Sequence, residues 1–393
     1  MTRYRHRAGE LLVHADDSAA IHAGLAEFGY HPDGGAGPLR RFTGTRPVPE
    51  VLAALPGPHR AGPNHLFGLD RIIWGDLRPR PTLQELEPVP LSGEVPVTVG
   101  VIDTGVVLHR GAPHPYLAER VLFEQADTVR VTRAEDGNPA GTAAHGTFVA
   151  GVLLKQVDAP LEVRVRMKGV VDRDSGETED LAVAAAIDEL REEGITLINL
   201  SFSGATWEDE PPKAIEAALR RLPPETVVVA SAGNLASRRR VYPAALRFDA
   251  IQPGTVDPNH ARVIAVGSAD ATQDSGHPVV ADFSNYGPWV SVYADGIDVF
   301  GPYLWPGYPI RPPGEVPPYN GWAVWSGTSF SAAIVSGQIA AVMAQGADAR
   351  AAAESVLQRP DPVTGQPLPV TVHDVNGAAE VPYVRGVFEQ GVG

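Results

Sequence analysis

The sequence predicts an α/β fold, a mainly parallel β-sheet flanked by helices, with a small N-terminal α/β domain ahead of it. Three observations lead there. Near-continuous apolar runs recur at 97–103, 163–169, 197–201, 227–231 and 263–268, as expected of strands covered on both faces. Helix-like segments at 181–193 and 211–221 fall between them, and strands alternating with helices favour parallel pairing through right-handed crossovers. The charge balance also changes along the chain. The first 90 residues hold ten arginines and ten acidic groups, so the net charge of −15 belongs to the remainder.

Within the leading part, 10–14 suits a strand, and Ser18 after Asp16 and Asp17 suits a helix N-cap. Ile21, Leu25 and Phe28 at i, i+4 and i+7 form an apolar stripe that stops at Gly29. Residues 39–43, 49–55 and 71–74 continue as strand, short helix and strand. Proline and glycine crowd 78–93, which reads as a linker. The division is therefore 1–90 as an N-terminal α/β extension and 91–393 as the main domain with a C-terminal extension.

Composition excludes several classes of function. A chain of 393 residues that is 44% hydrophobic buries a sizeable core. The absence of cysteine excludes a disulfide scaffold and thiolate metal sites. The negative charge argues against nucleic acid or an anionic membrane as partner, because both demand a cationic surface. Arg3, Arg5 and Arg7 imitate the start of a signal peptide, but only Leu11, Leu12 and Val13 follow before His14, Asp16 and Asp17. No apolar run approaches the ~18 residues that span a bilayer. The sequence thus reads as cytoplasmic, although export without a leader would leave no trace in it.

Three segments each place a reactive side chain among small residues at a loop or element end. Asp103 closes the apolar run VIDTG, where the carboxyl edge of a parallel sheet exposes ligand-binding groups. His145 opens HGTFVAG, and Ser329 sits in SGTSFSAAIVSG at the start of a stretch apolar almost all round. A serine hydroxyl needs an adjacent base, and an imidazole needs a carboxylate to fix its tautomer. Asp103, His145 and Ser329 fill those roles. Asn234, in SAGN beyond the strand at 227–231, adds an amide for a developing oxyanion.

In these four motifs, VIDTG, HGTFVAG, SAGN and SGTSFSAAIVSG, the chain resembles the subtilisin-like serine peptidases, and the order Asp, His, Ser matches theirs. The resemblance implies a subtilisin-like fold and an acyl-enzyme mechanism acting on a peptide or protein substrate. It implies Asp103, His145 and Ser329 as the triad and Asn234 with the Ser329 N–H as the oxyanion hole. Ser201, Phe202, Ser203 and Gly204 would pair with substrate backbone and wall the specificity pocket, with Ala232 and Gly233 opposite and Val241 near its floor. The loop holding Asp174, Ser175 and Gly176 would border the pockets upstream of the cut. Its neighbours Glu177 and Glu179 would join Asp174 in favouring Arg or Lys there, against a plain reading as a solvated turn. The chemistry requires no cofactor, and the insertion that supplies a tight calcium site in some relatives is not apparent after the His145 segment. The first 90 residues read as a propeptide, cut between Leu86 and Val97, or as a permanent domain. A peptide ligase or macrocyclase on the same fold and a catalytically silent peptide-binding protein are the alternatives to hydrolysis.

Overall fold

A computed structural model describes residues 4–17, 19–56, 60–69, 78–88, 91, 93, 97–131, 139, 142–158, 161–172, 175–248, 257–271, 277–305, 308, 318–360, 365–366, 368–374 and 377–386. The cap expected at Ser18 and the strand expected at 71–74 lie outside these residues.

The leading part folds as β1 (Arg5–His14), α1 (Ala19–Glu27), β2 (His31–Ala36), β3 (Leu39–Thr43), α2 (Val48–Ala54) and β4 (Ala61–Gly68). Leu11 and Val13 project from one face of β1 onto Ile21 and Leu25 of α1 and onto Val51 and Leu52 of α2. The stripe that marks α1 in the sequence is therefore its buried face. Leu12, on the opposite face of β1, enters the core of the main domain together with Leu39 and Phe67.

After β5 (Arg80–Pro81) in the connecting segment, the main domain begins with β6 (Val97–Asp103), β7 (Val106–Val107), β8 (Val121–Leu122) and β9 (Thr128–Val129). Next come α3 (His145–Lys155), β10 (Val163–Gly169), β11 (Glu177–Glu179), α4 (Asp180–Glu192), β12 (Leu197–Leu200), α5 (Lys213–Arg220) and β13 (Val227–Ser231). After β14 (Arg262–Asp270), β15 (Val279–Val280), β16 (Val292–Asp295), β17 (Val299–Pro302) and β18 (Trp322–Trp325), the chain closes with α6 (Thr328–Met343), α7 (Ala349–Leu357), β19 (Pro369–Asp374) and β20 (Gly377–Val384).

The central sheet has the order β19-β20-β16-β14-β13-β12-β6-β10-β8, with β15 pairing β14. From β8 to β20 its neighbours run parallel, and β19 and β15 are antiparallel. Period-two alternation decides what each face buries. Val97, Val99 and Val101 of β6 meet α3 and α6, while Ile102 meets α4 and α5 on the other side. Both faces are covered, which is why β6, β12 and β13 read as largely apolar runs. β10, expected at 163–169 to do the same, alternates instead, with half-buried Arg164 and Arg166 between buried Val163, Val165 and Met167. No helix among the described residues is long and apolar enough to cross a membrane.

Strand pairing as well as core packing knits the extension into the main domain. β4 pairs antiparallel with β11, so the sheet β11-β4-β1-β3-β2 takes strands from both parts. Farther on, the segment that reads as a linker is partly structured: β5 pairs with β18, Tyr319 Oη donates to Pro79 O at 2.6 Å, and Asn320 Nδ2 donates to Glu85 Oε1 at 3.1 Å. Proline content suggested a loop, but a proline carbonyl still accepts.

Candidate active site

Asp103 is the last residue of β6 and is fully buried. Its Oδ1 accepts from the Thr104 N–H at 2.7 Å, and Oδ1 and Oδ2 lie 2.8 and 2.9 Å from Nδ1 of His145. An ionised carboxylate only accepts, so it holds the proton on Nδ1 and leaves Nε2 of a neutral ring as the basic nitrogen. His145 opens α3, and two clamps fix that end of the helix. Gly146 N donates to Thr104 Oγ1 at 2.9 Å, and Val107 N donates to Thr147 Oγ1 at 2.9 Å. A Cβ on Gly146 would stand 2.6 Å from Gly105 O and 3.1 Å from Asp103 Oδ1. Only glycine lets α3 come this close to the end of β6. The imidazole is flanked by Trp325, ring centroids 5.5 Å apart and nearly perpendicular, and by Phe330 at 5.5 Å.

Ser329 is the second residue of α6 and neighbours Phe330. A buried polar chain anchors it to the end of β12. Ser201 Oγ lies 2.8 Å from Asn199 Oδ1 and 3.0 Å from Ser329 O, and Asn199 Nδ2 donates to Ser336 Oγ at 3.1 Å. The Ser329 hydroxyl donates to Ser201 O at 3.0 Å. Its single proton therefore rests on the β12 end and not on the His145 ring.

Asn234 is held by its carbonyl end. Oδ1 accepts from Thr328 N at 2.9 Å and from Thr328 Oγ1 at 2.8 Å, while Thr328 Oγ1 accepts from Gly233 N at 3.0 Å. Nδ2 is turned toward Gly327, 3.6 Å from where a Cβ would begin there. The donor group thus lies beside the N-terminus of α6, whose macrodipole favours negative charge.

A peptide strand already lies in the adjoining slot, and it belongs to the extension. Gly68 N donates to Ser203 O at 2.9 Å, Ser203 N donates to Gly68 O at 3.0 Å, and Leu69 N donates to Gly176 O at 3.0 Å. β11 closes the other side, with Glu177 opposite Gly68 and Thr178 opposite Phe67. The Phe67 side chain is fully buried, its ring centroid 6.4 Å from that of Phe202. A Cβ on Gly204 would lie 2.9 Å from Phe67 Cδ1 and 3.2 Å from Leu66 O. Gly204 pairs with Tyr242 through both backbone groups, and Val241 is buried beside it. Ala232 and Gly233 are tied from behind, the first by Asn285 Nδ2 on its carbonyl at 2.8 Å and the second by Thr328. Ser175 N and Oγ both donate to Asp172 Oδ1 at 2.8 Å, tightening the turn before Gly176. Asp174 lies outside the described residues. Glu177 and Glu179 form ion pairs with Arg5 and Arg7 of β1, so the basic side chains they meet come from the chain itself.

The structure therefore joins Asp103 to His145, Asn234 to the start of the Ser329 helix, and Ser201 to Ser329. Sequence reasoning missed Thr328, Asn199, Thr104 and the occupant Phe67–Gly68–Leu69. Hydroxyl groups beside Asp103 and Ser329 were the available signal for Thr104 and Thr328. Two nearby groups carry shifted pKa values. Asp180, at the start of α4, is pushed up to about 7 by burial, which outweighs the N–H donors of Ile215 at 2.8 Å and Ala214 at 3.1 Å. His65 on β4 is pushed down to about 3 by burial and then by the charges of His6 and Lys213, and its Nε2 accepts from Trp207 N at 3.1 Å.

Fold and site together define an α/β protein with a serine, a histidine and an aspartate gathered at the carboxyl edge of a parallel sheet. The chain belongs to the subtilase family, whose sequence profile matches residues 96–358. It is 28% identical over 278 residues to the Thermophilic serine proteinase of Bacillus sp. (strain AK1), an alignment covering 68% of this chain and 57% of that one. It is 35% identical over 185 residues to Mycosin-5 of Mycobacterium tuberculosis, covering 42% of this chain and 29% of the relative. The matches thus span little more than half of the first relative and under a third of the second. Among solved structures, fervidolysin from Fervidobacterium pennivorans, a keratinolytic enzyme related to subtilisin, superposes with a TM-score of 0.60 at 17% identity, covering 97% of this chain and 60% of that one. At that identity the likeness concerns the fold.

Proposed function

We propose that the chain is a serine endopeptidase that hydrolyses peptide bonds through an acyl-enzyme. A change of Ser329 rotamer moves its hydroxyl from Ser201 O to Nε2 of His145. Oγ then attacks the scissile carbonyl while Nε2 takes the proton, and Asp103 holds the ring and stabilises the imidazolium. The tetrahedral oxyanion receives Nδ2 of Asn234 and the Ser329 N–H. Collapse breaks the C–N bond, Nε2 returns the proton to the leaving amine, and water repeats the sequence on the ester.

One observation carries this reading: the slot leading to Ser329 is built to hold peptide backbone and holds Phe67, Gly68 and Leu69 as an added antiparallel strand. The extension accordingly acts as a substrate-like occupant of the enzyme's own cleft. Because the chain reaches the cleft at Leu69, self-processing is expected upstream of the Leu86–Val97 interval suggested by composition. Full-length protein and a Ser329→Ala variant, each incubated with a peptide library in isotopically labelled water, test the reading. Hydrolysis products carrying the label, absent with the variant, support it. Joined or cyclised products would point to a ligase, and an inert wild type or an equally active variant would refute catalysis by Ser329.

A further inference from the structure

Glu177 stands across from Gly68, the one residue of the occupying segment Phe67–Gly68–Leu69 that has no side chain. In the antiparallel pairing of β11 with β4 it lies opposite Gly68, and directly opposed residues project to the same face of a sheet with Cβ atoms about 5 Å apart. That empty position is filled from the next strand over. Arg5 of β1, paired with Leu66, reaches across Gly68 and forms an ion pair with Glu177. A Cβ on Gly68 would lie 3.0 Å from Arg5 Nη2. The guanidinium thus occupies the space in which a side chain at this position would start. Farther along the same face, Glu179 takes Arg7 Nε at 2.9 Å. Gly68 is also the residue that Ser203 grips through both backbone groups, so its position belongs to the path of any peptide bound in this slot.

We infer that Glu177 is a specificity-determining residue, selecting substrates with arginine or lysine at the position that Gly68 occupies. The inference rests on the peptidase reading and deepens it. Arg5 supplies the missing cation from a neighbouring strand because Gly68 cannot. A substrate that displaces β4 also displaces β1, which is paired to it, and so removes Arg5 and Arg7 from the carboxylates. Glu177, whose side chain is 29% exposed, then faces whatever side chain the substrate carries at that position. A basic one restores the pair, a neutral one leaves the carboxylate to solvent, and an acidic one repels it. Position narrows the acidic loop to this residue, since Glu179 faces Leu66, two residues farther from the end of β4.

The test uses the full-length chain, allowed to complete its own processing, and three quenched fluorescent peptides that differ only at X in Phe-X-Leu, with X as Arg, Gln or Glu. The expected kcat/KM for Arg exceeds that for Gln by roughly one-and-a-half- to five-fold, with Glu lowest. The ratio should fall toward unity in Glu177→Gln, invert in favour of Glu in Glu177→Arg, and shrink in the wild type as salt is raised. Equal rates for all three peptides, or a preference that survives both substitutions and high salt, would overturn the inference. A fluorophosphonate assay run in parallel separates the two levels. Labelled, active protein without preference at X sinks this inference alone, whereas protein that neither labels nor cleaves sinks the peptidase reading and the inference with it.

Discussion

Asn234→Ala separates two jobs, one that the proposed mechanism gives this side chain and one that its hydrogen bonds show. Losing Nδ2 removes one donor to the oxyanion, which typically costs 10²–10³ in kcat, about 3–4 kcal/mol of transition-state stabilisation. Because the donor acts on charge that develops only in the transition state, KM should change little. Oδ1 has a different duty: it accepts from Thr328 N and Oγ1, both buried, and an orphaned buried donor costs about 1–3 kcal/mol of stability. The alanine variant should therefore lose turnover and unfold at lower urea. Asn234→Asp keeps an acceptor for Thr328 but sets a carboxylate where the oxyanion forms. It should retain more stability than Ala and have a lower kcat. Steady-state kinetics on a chromogenic peptide with urea denaturation of each variant decide the matter. A kcat for Asn234→Ala within a few-fold of wild type, in folded protein, would refute the oxyanion role.

Asp180 holds a proton in the folded state up to about pH 7, against 3.8 for the free side chain. Its contribution is thus full below about pH 4 and lost as pH rises through 7, on the order of 4 kcal/mol. The wild type should therefore lose stability relative to Asp180→Asn as pH rises from 5 to 7, and a difference between the two that does not change over that range contradicts the assignment. His65 runs the other way. It must stay neutral to accept from Trp207 N, so its contribution is present above pH 6.5 and is lost on acidification, about 2 kcal/mol by pH 5. Hydrogen exchange should show β4 loosening at pH 5 relative to pH 7, and not in His65→Gln. Gly204→Ala places a methyl 2.9 Å from Phe67 Cδ1 and 3.2 Å from the Leu66 carbonyl. Overpacking of this kind costs about 1–3 kcal/mol, so β4 should exchange faster in that variant, and unaltered protection would show that the slot is not tight.

Much of the main domain was legible because it follows from short-range rules. Strands such as β6, β12 and β13 are largely apolar, since helices cover both faces. The four candidate catalytic groups sit in glycine-rich motifs at strand and helix ends, where burial and close approach both demand small neighbours. The extension was harder to read. β4 has the sequence AGPNHLFG, and β2 has HPDGGA. Glycine, proline and asparagine mark turns by propensity, but here β4 gains its partners from β1, β11 and Ser203, contacts set by tertiary structure. For the same reason Glu177 and Glu179 read as a solvated acidic turn, and the arginines opposite them lie about 170 residues earlier. His114 has its ring 5.0 Å from Trp322 and is pushed down to about 4 by burial. Its aromatic neighbour comes from a distant strand.

Everything chemical here depends on the Ser329 oxygen being a nucleophile activated by His145. Treatment of the folded protein with a small alkyl fluorophosphonate, followed by peptide mapping, measures that property without reference to any substrate. A single phosphonyl adduct on Ser329 is expected, lost in Ser329→Ala and strongly slowed in His145→Ala. Folded wild-type protein that takes up no label, or takes it up equally without His145, would contradict the account.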